Sequence, residues 1–465
     1  MDMLPDDILL AIFDLCADES PSTKKELEAW QSLVHVCQRW RSLVFISPRR
    51  LNLRLVCTAK TPVRDTLDVW PPLPLVIQSS LTDGMDSIVA VLERKDRVDS
   101  IELFEVNGSS MEKLLAAMQD PFPELTFLRL ESDDGTLPVL PDSFLGGSAP
   151  RLRFLWLNRI PFLGLPKLIL STTHLVNLLL LNIPHSGYIS PEAMVSALSS
   201  LIGLKTLALE FLSPRSHPGR ASRRSPPQTR TVLPFLTYFS FEGVCEYLDA
   251  FVAFIDAPRV NLMYISFFND IVFDIPQFIQ FVCRTPTLKS IENARVVFGD
   301  GGSMVNFQSQ TPGCGSLKME VSCRELDWQV SSLEQVCTSC LPPFSKLEDL
   351  YIYEAQDWLP DWQDSVENLN MPWLELLRPF TTVRRLHLSK EFAPRIVSAL
   401  QELIEDRTTE ILPILENISL EELQPMEPSG PVQEGIGKFV GTRQLSGHPI
   451  TISIWKRDPE QDWVY

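Results

Sequence analysis

Leu125-Thr126-Phe127-Leu128-Arg129-Leu130 and, further on, Leu152-Arg153-Phe154-Leu155-Trp156-Leu157 share one pattern. An apolar residue is followed by another three positions later and another two after that. The same triplet stands at Val98/Ile101/Leu103, Leu175/Leu178/Leu180 and Leu204/Leu207/Leu209. Weaker copies lie at Leu236/Phe239/Phe241 and Val260/Met263/Ile265, and degraded ones at Leu288/Ile291 and Leu317/Met319/Val321. The pattern sharpens again at Leu347/Leu350/Ile352, Val383/Leu386/Leu388 and Leu415/Ile418/Leu420. Positions two apart share one face of a strand, so each copy predicts a short strand with its two last apolar residues inward. The mean step is about 29 residues, the period of a stacked repeat array.

Between the triplets the sequence turns helical or Pro-rich. Met111, Leu114, Leu115 and Met118 line one helix face. Ser190 is placed to cap a helix over 190–201, with Pro191 at its first position and Met194, Leu198 and Leu201 as its stripe. Ile396, Val397, Leu400, Leu403 and Ile404 follow helical spacing over 393–406. Strand followed by helix, repeated, predicts an α/β architecture: a parallel sheet with helices outside. Twelve parallel strands at ~4.8 Å would make a concave strip of roughly 55 Å. No single repeat can bury its own apolar face, so the array must form as a stack. The array, over roughly 95–455, resembles the leucine-rich-repeat superfamily in its irregular, intracellular form. That resemblance implies a solenoid; a sandwich or an ordinary α/β domain is the alternative, and the number of copies favours the solenoid. The expected organisation is 1–48 as a separate helical segment, 49–94 as the N-terminal cap or connector, 95–430 as the solenoid and 431–465 as the C-terminal cap.

Composition narrows the function. The 465 residues carry 41 Lys and Arg against 59 Asp and Glu, a net charge of −18. Such a balance disfavours a nucleic-acid binder, which needs a basic face, and attraction to anionic lipid. No apolar run approaches the ~18 residues needed to cross a bilayer. The acidic start Met1-Asp2-Met3-Leu4-Pro5-Asp6-Asp7 does not read as a secretory signal. Nine cysteines, an odd number spread along the chain, read as reduced thiols rather than a disulfide framework. Cytosol, nucleus or both are the expected locations.

Residues 4–46 differ in kind, with no strand pattern and three short amphipathic stretches. Leu4-Pro5-Asp6-Asp7-Ile8-Leu9-Leu10-Ala11-Ile12-Phe13 opens a helix with Pro early and carboxylates in the first turn, both favourable there. Ile8, Ile12 and Leu15 share one face. After a polar break, Leu33, Val36, Cys37, Trp40, Leu43 and Val44 recur at spacings of three and four. About forty residues are too few to stabilise themselves, so the segment must pack on the repeats, on a partner, or on both.

The wording of this stretch resembles the F-box: Leu4-Pro5, Ile8, Ile12-Phe13, then Val36-Cys37-Gln38-Arg39-Trp40-Arg41-Ser42-Leu43. Its continuation into Ser47-Pro48-Arg49-Arg50-Leu51-Asn52-Leu53-Arg54-Leu55-Val56-Cys57 is similar to the expanded F-box proteins of mushroom-forming fungi. The link before Trp30 is longer than the family's, and Phe45-Ile46-Ser47-Pro48 stands where the family carries a last Trp. The resemblance implies three short helices that bind a Skp adaptor and through it a cullin, in a ubiquitin ligase whose protein substrate is held by the repeats. Leu4, Pro5, Ile8, Ile12, Val36, Cys37, Trp40 and Leu43 would then form the adaptor-facing or helix-supporting set. The alternatives are a scaffold with no ubiquitin-ligase role and a segment that merely caps the repeats.

Other signals are weaker. Cys337-Thr338-Ser339-Cys340 has half the spacing of a zinc site, but Cys314 and Cys323 supply no matching pair, so no metal is expected. Gly299-Asp300-Gly301-Gly302 is a turn without the Lys-Ser/Thr continuation of a phosphate loop. The six histidines are scattered, and no catalytic constellation or cofactor motif is present. The Arg-rich stretch 213–231 reads as a disordered insertion, with Arg223-Arg224-Ser225-Pro226 as a modifiable element in the sharper reading. The acidic run 401–428 reads as a solvated face. Trp358, Trp362 and Trp373 fall in the longest inter-repeat step; Trp358 and Trp362 are the candidate substrate-binding residues, and core filling is the competing role.

Overall fold

The computed structural model describes residues 4–16, 31–47, 51, 53–61, 67, 72–80, 84–132, 138–214, 229–268, 273–309, 311, 315–323, 325–340, 344–355, 370–401, 410–421 and 431–457. The chain divides into two compact units, Met1–Thr206 and Leu207–Tyr465.

Unit 1 opens with three helical pieces, α1 (Asp6–Cys16), α2 (Gln31–Val34) and α3 (Gln38–Ile46). Strands β1 (Leu55–Cys57) and β2 (Leu75–Ser80), helix α4 (Met85–Leu92), β3 (Val98–Phe104) and α5 (Gly108–Ala117) follow. Then come β4 (Phe127–Glu131), β5 (Phe154–Asn158), α6 (Leu165–Ile169), β6 (Asn177–Ile183) and α7 (Pro191–Leu198). Strands β1 to β6 pair in sequence order, every pair parallel. The triplets explain the register. Ile101 pairs with Leu128, Leu128 with Leu155 and Leu155 with Leu178, so one buried row crosses four strands. The first residue of each triplet lies just before its strand and is buried as well, as at Leu125, Leu152 and Leu175. Ahead of each strand one amide bonds back to the preceding repeat: Thr126 to Asp99, Arg153 to Thr126, Val176 to Arg153 and Lys205 to Val176. This ladder satisfies backbone groups that would otherwise be orphaned between stacked turns. Asn107 caps α5 by accepting from the Ser110 amide, and Ser190 caps α7 by accepting from Ala193.

Unit 2 runs from β7 (Thr206–Phe211) through β8 (Thr231–Val232), β9 (Tyr238–Gly243), α8 (Cys245–Ala253), β10 (Ile255–Asp256), β11 (Leu262–Phe267) and α9 (Pro276–Arg284). It continues with β12 (Asn293–Phe298), β13 (Gly302–Gln308), β14 (Ser316–Ser322), α10 (Leu326–Cys340), β15 (Asp349–Glu354) and α11 (Asn370–Leu377). It ends with β16 (Arg385–Leu388), α12 (Ala393–Gln401), β17 (Asn417–Glu421), α13 (Pro431–Leu445) and β18 (Thr451–Trp455). The strand order is β7-β9-β11-β14-β13-β12-β15-β16-β17-β18, with β8 and β10 forming a separate parallel pair.

The uninterrupted parallel array expected from the triplets is corrected here. β12, β13 and β14 form an antiparallel meander, with β14 parallel to β11 and β12 parallel to β15. The cause is the Gly299–Gly302 turn, closed by the Gly299 amide on the Gly302 carbonyl, which sends the chain straight back. The degraded copy at Leu288/Ile291 is also not a strand. Leu288 sits in a short 3-10 turn (Pro286–Ser290), and β12 begins only at Asn293. Leu51 and Leu53 are buried but precede β1, which is only Leu55–Cys57. Of the Arg-rich stretch 213–231, residues 215–228 lie outside the described residues. Its end is ordered: Arg230 donates to the Ala253 carbonyl and Thr231 begins β8. The core of the helix expected over 393–406 is α12, and 402–409 lie outside the described residues. No helix among the described residues is long and apolar enough to cross a membrane.

Candidate partner-binding surfaces

The first surface is the N-terminal helical segment. Pro5 and two aspartates in its first turn start α1. One face of α1 is sequestered: Leu9 and Phe13 are buried, with Trp40 of α3 set edge-on against Phe13 at 4.7 Å. Val34 and Val44 are buried with them. Arg39 ties α3 to the start of α1, its Nε and Nη2 donating to Asp6 Oδ1 at 3.1 and 2.6 Å and its Nη2 to the Leu4 carbonyl at 2.6 Å. Arg41 Nε donates to the Val34 carbonyl at 3.0 Å and fixes the end of α2. Arg39 and Asp6 are both solvent-accessible, so their charge pairing contributes at most about 1 kcal/mol; its value is in positioning Leu4 and Pro5.

A second side of α1, about 100° round the helix from the first, is apolar too, and open. Leu4, Ile8, Ile12 and Leu15, spaced by four, four and three, are 41%, 46%, 39% and 87% exposed; Val36 and Ile46 are 51% and 76% exposed. Of the residues expected at this surface, Leu4, Pro5, Ile8, Ile12, Val36 and Cys37 are exposed, whereas Trp40 and Leu43 are half-buried. Arg39 and Ile46 belong to this surface although the sequence pattern did not single them out. Ile46 was discoverable, because it stands three residues after Leu43 on the same helix.

A second surface is the strand face of unit 1 that carries the half-exposed alternate residues. Phe127 and Phe154 stack at 4.2 Å, 4° from parallel. One row beyond, the Arg129 guanidinium lies 4.2 Å from the Trp156 ring centroid and 4.7 Å from that of Phe104. Glu131 and Glu102 flank it at 3.1 and 3.5 Å. Gln78 donates to Glu102 and Asn158 to Glu131, so the polar atoms form a network across the strands. This is a planar, rigid platform of rings and one cation, of the kind enriched at interface hot spots.

In unit 2, taken by itself, the strands carry two polar clusters. In the first, Glu242 and Glu320 flank Ser266 in register, and Glu210 accepts from Ser240 at 3.0 Å. Burial raises the Glu210 carboxyl, and burial with the charges of Glu210 and Glu320 raises that of Glu242. Tyr264 donates to Glu320 at 2.5 Å, and burial followed by that carboxylate pushes its phenol far up. In the second, Asp349 receives Arg385 Nε and Nη2 at 2.5 and 2.7 Å, and His387 Nε2 lies 3.2 Å away. His387 stacks on Tyr351 at 4.1 Å, 10° from parallel. Burial alone would raise the Asp349 carboxyl, but its bonds from Arg385 and His387 hold it down to about 2.

No family model matches the chain, and no curated protein matches it. Solved structures that match include the leucine-rich repeat-containing protein LegL7 from Legionella pneumophila, at 12% identity and a TM-score of 0.29, covering 84% of this chain and 98% of that one. So distant a likeness bears on neither the fold nor the function.

Trp358 and Trp362 lie outside the described residues. Trp373, in the same step, is a core residue: it is fully buried in α11, with Phe298 and Phe392 ring centroids at 5.4 and 5.5 Å. Cys337 is buried in α10, and no group of three or more His, Cys, Asp or Glu among the described residues could hold a metal ion.

The Asp349 cluster carries a pH prediction. A folded carboxyl depressed below its unfolded value stabilises fully above the unfolded pKa and loses that contribution as pH falls through the folded one. Between pH ~4 and ~2 the protein should therefore lose up to about 2 kcal/mol of unfolding free energy through this group, reduced by the water that screens the open side of Arg385. Asp349→Asn should flatten that segment of the curve. Urea unfolding at stepped acidic pH checks it, and parallel curves for the two proteins would refute it.

Proposed function

We propose that the chain is a substrate receptor of a Skp–cullin–F-box ubiquitin ligase. Its N-terminal helices dock the Skp adaptor, and its strand–helix units hold a protein substrate. The reading is carried by one observation: α1 is apolar on two sides, and among the described residues the Leu9/Phe13 side is buried while Leu4, Ile8, Ile12 and Leu15 stay exposed. An isolated helical segment gains nothing from a second apolar stripe in water, while a partner surface does. The F-box-like wording of 4–13 and 36–43 names the adaptor as that partner. Association costs ~4–15 kcal/mol before any net affinity, and one large apolar side chain returns ~1.5–3 kcal/mol when fully buried. Several of the set must therefore act together, with Trp40 holding α1 and α3 in their mutual orientation through Phe13.

Affinity purification of the tagged full chain tests the reading. A Skp adaptor and a cullin should be recovered with the wild type and lost after Leu4→Ala with Pro5→Ala. Stable partners without adaptor or cullin would favour the scaffold alternative.

A further inference from the structure

The chain's own C-terminal stretch lies on the face of β15 and β16. Trp455 is the last residue of β18 and pairs in register with Glu421 of β17. Its indole nevertheless reaches back, edge-on to Tyr351 and His387 with both centroids at 5.8 Å, and its Nε1 donates to the Leu388 carbonyl at 3.2 Å. Two residues on, Arg457 Nη2 donates to the Glu354 carbonyl at 2.7 Å, and Nη1 lies 3.4 Å from Glu354 Oε1. The Arg457 guanidinium sits 4.4 Å from the Tyr353 ring centroid, and both charged side chains are only 9% exposed. The receiving groups are held independently of this segment. Tyr351 and His387 stack on each other above Asp349, and Ser389 orients the Glu354 carboxylate at 2.5 Å.

We infer that this face binds a partner peptide bearing an aromatic side chain followed two residues later by arginine, and that Trp455-Lys456-Arg457 occupies its place in the isolated chain. The inference rests on the reading that unit 2 holds a protein partner, and not on adaptor docking. The other face of β18 stays open: Ile452 and Ile454, which alternate with Trp455, are 51% and 74% exposed. The contacts of Trp455 and Arg457 are those of a recognition motif, since Trp, Tyr and Arg dominate binding hot spots. A tethered segment meets its site at an effective concentration of order mM, so weak intrinsic affinity keeps it seated and a better-matched partner displaces it. The net charge of −18 favours a basic partner over an acidic one.

The test uses the full chain and a fluorescein-labelled peptide of the sequence Ser453-Ile454-Trp455-Lys456-Arg457, read by anisotropy. A released variant, Trp455→Ser with Arg457→Ser, should bind the peptide at least ~10-fold tighter than the wild type, by removal of the tethered competitor. Adding Glu354→Gln should cancel that gain, and a peptide carrying Arg457→Glu should not bind. Equal binding by the wild type and a released variant with unchanged unfolding midpoint overturns the inference, as does equal binding of the control peptide. Should the double variant not fold, Arg457→Ser alone is held to the same criteria. Adaptor recovery, measured on the same preparations, should be unaffected by release, so its loss or absence counts against the adaptor reading alone.

Discussion

Ile8→Glu together with Ile12→Glu should weaken adaptor binding by ~100-fold or more and leave the unfolding midpoint within a few degrees of the wild type. Both side chains are about half open to solvent in the free chain, so only part of their burial remains to be gained on docking. Roughly 1 kcal/mol each is lost with the apolar surface, and carboxylates pressed into an apolar interface cost several more. Each 1.4 kcal/mol is a factor of ten in affinity, so the total exceeds two decades. The fold is spared because the packed side of α1, Leu9 and Phe13, is untouched. Isothermal titration with purified adaptor, paired with thermal unfolding, reads both quantities. A large stability loss would mean that Ile8 and Ile12 serve this chain's own core.

Trp373→Ala is the opposite kind of change. The indole is fully enclosed, with Phe298 and Phe392 around it and those two rings 4.9 Å apart. The two phenyl rings that remain cannot collapse into the space the indole leaves, so the cost should be ~3–5 kcal/mol. Urea unfolding of the full chain should show that loss, whereas Leu163→Ala, at an exposed site, should shift it by less than ~0.5 kcal/mol. A loss below ~1 kcal/mol at Trp373 would mean that α11 does not seal the core as described.

The parts of this fold that are readable in the sequence are those where a local pattern has one structural meaning. The triplets mark strands because the Leu128/Leu130 spacing of two can face the same way only in extended chain, and Ser190-Pro191 marks a helix start because cap chemistry is local. Strand direction is another matter. Alternation has the same period in parallel and antiparallel strands: Leu317/Met319/Val321 reads as another repeat and β14 does lie parallel to β11, but the antiparallel β13 that follows the Gly299–Gly302 turn and lies between β14 and β12 carries no triplet to announce it. The candidate surface shows the same divide. The Ile8/Ile12/Leu15 face of α1 is read from the sequence, but the burial of its Leu9/Phe13 side is not, because it involves Trp40, over twenty residues away. The return of Trp455 and Arg457 over Tyr351 and Tyr353 spans about a hundred residues and leaves no local mark.

Hydrogen exchange on the full chain with and without purified Skp adaptor measures the docking face directly. Slowed amide exchange within Asp6–Cys16 and across 36–46, with the strands of both units unchanged, is the expected result. Unchanged exchange in those helices at saturating adaptor, or protection confined to the strand faces, would contradict the assignment of the open stripe to a partner.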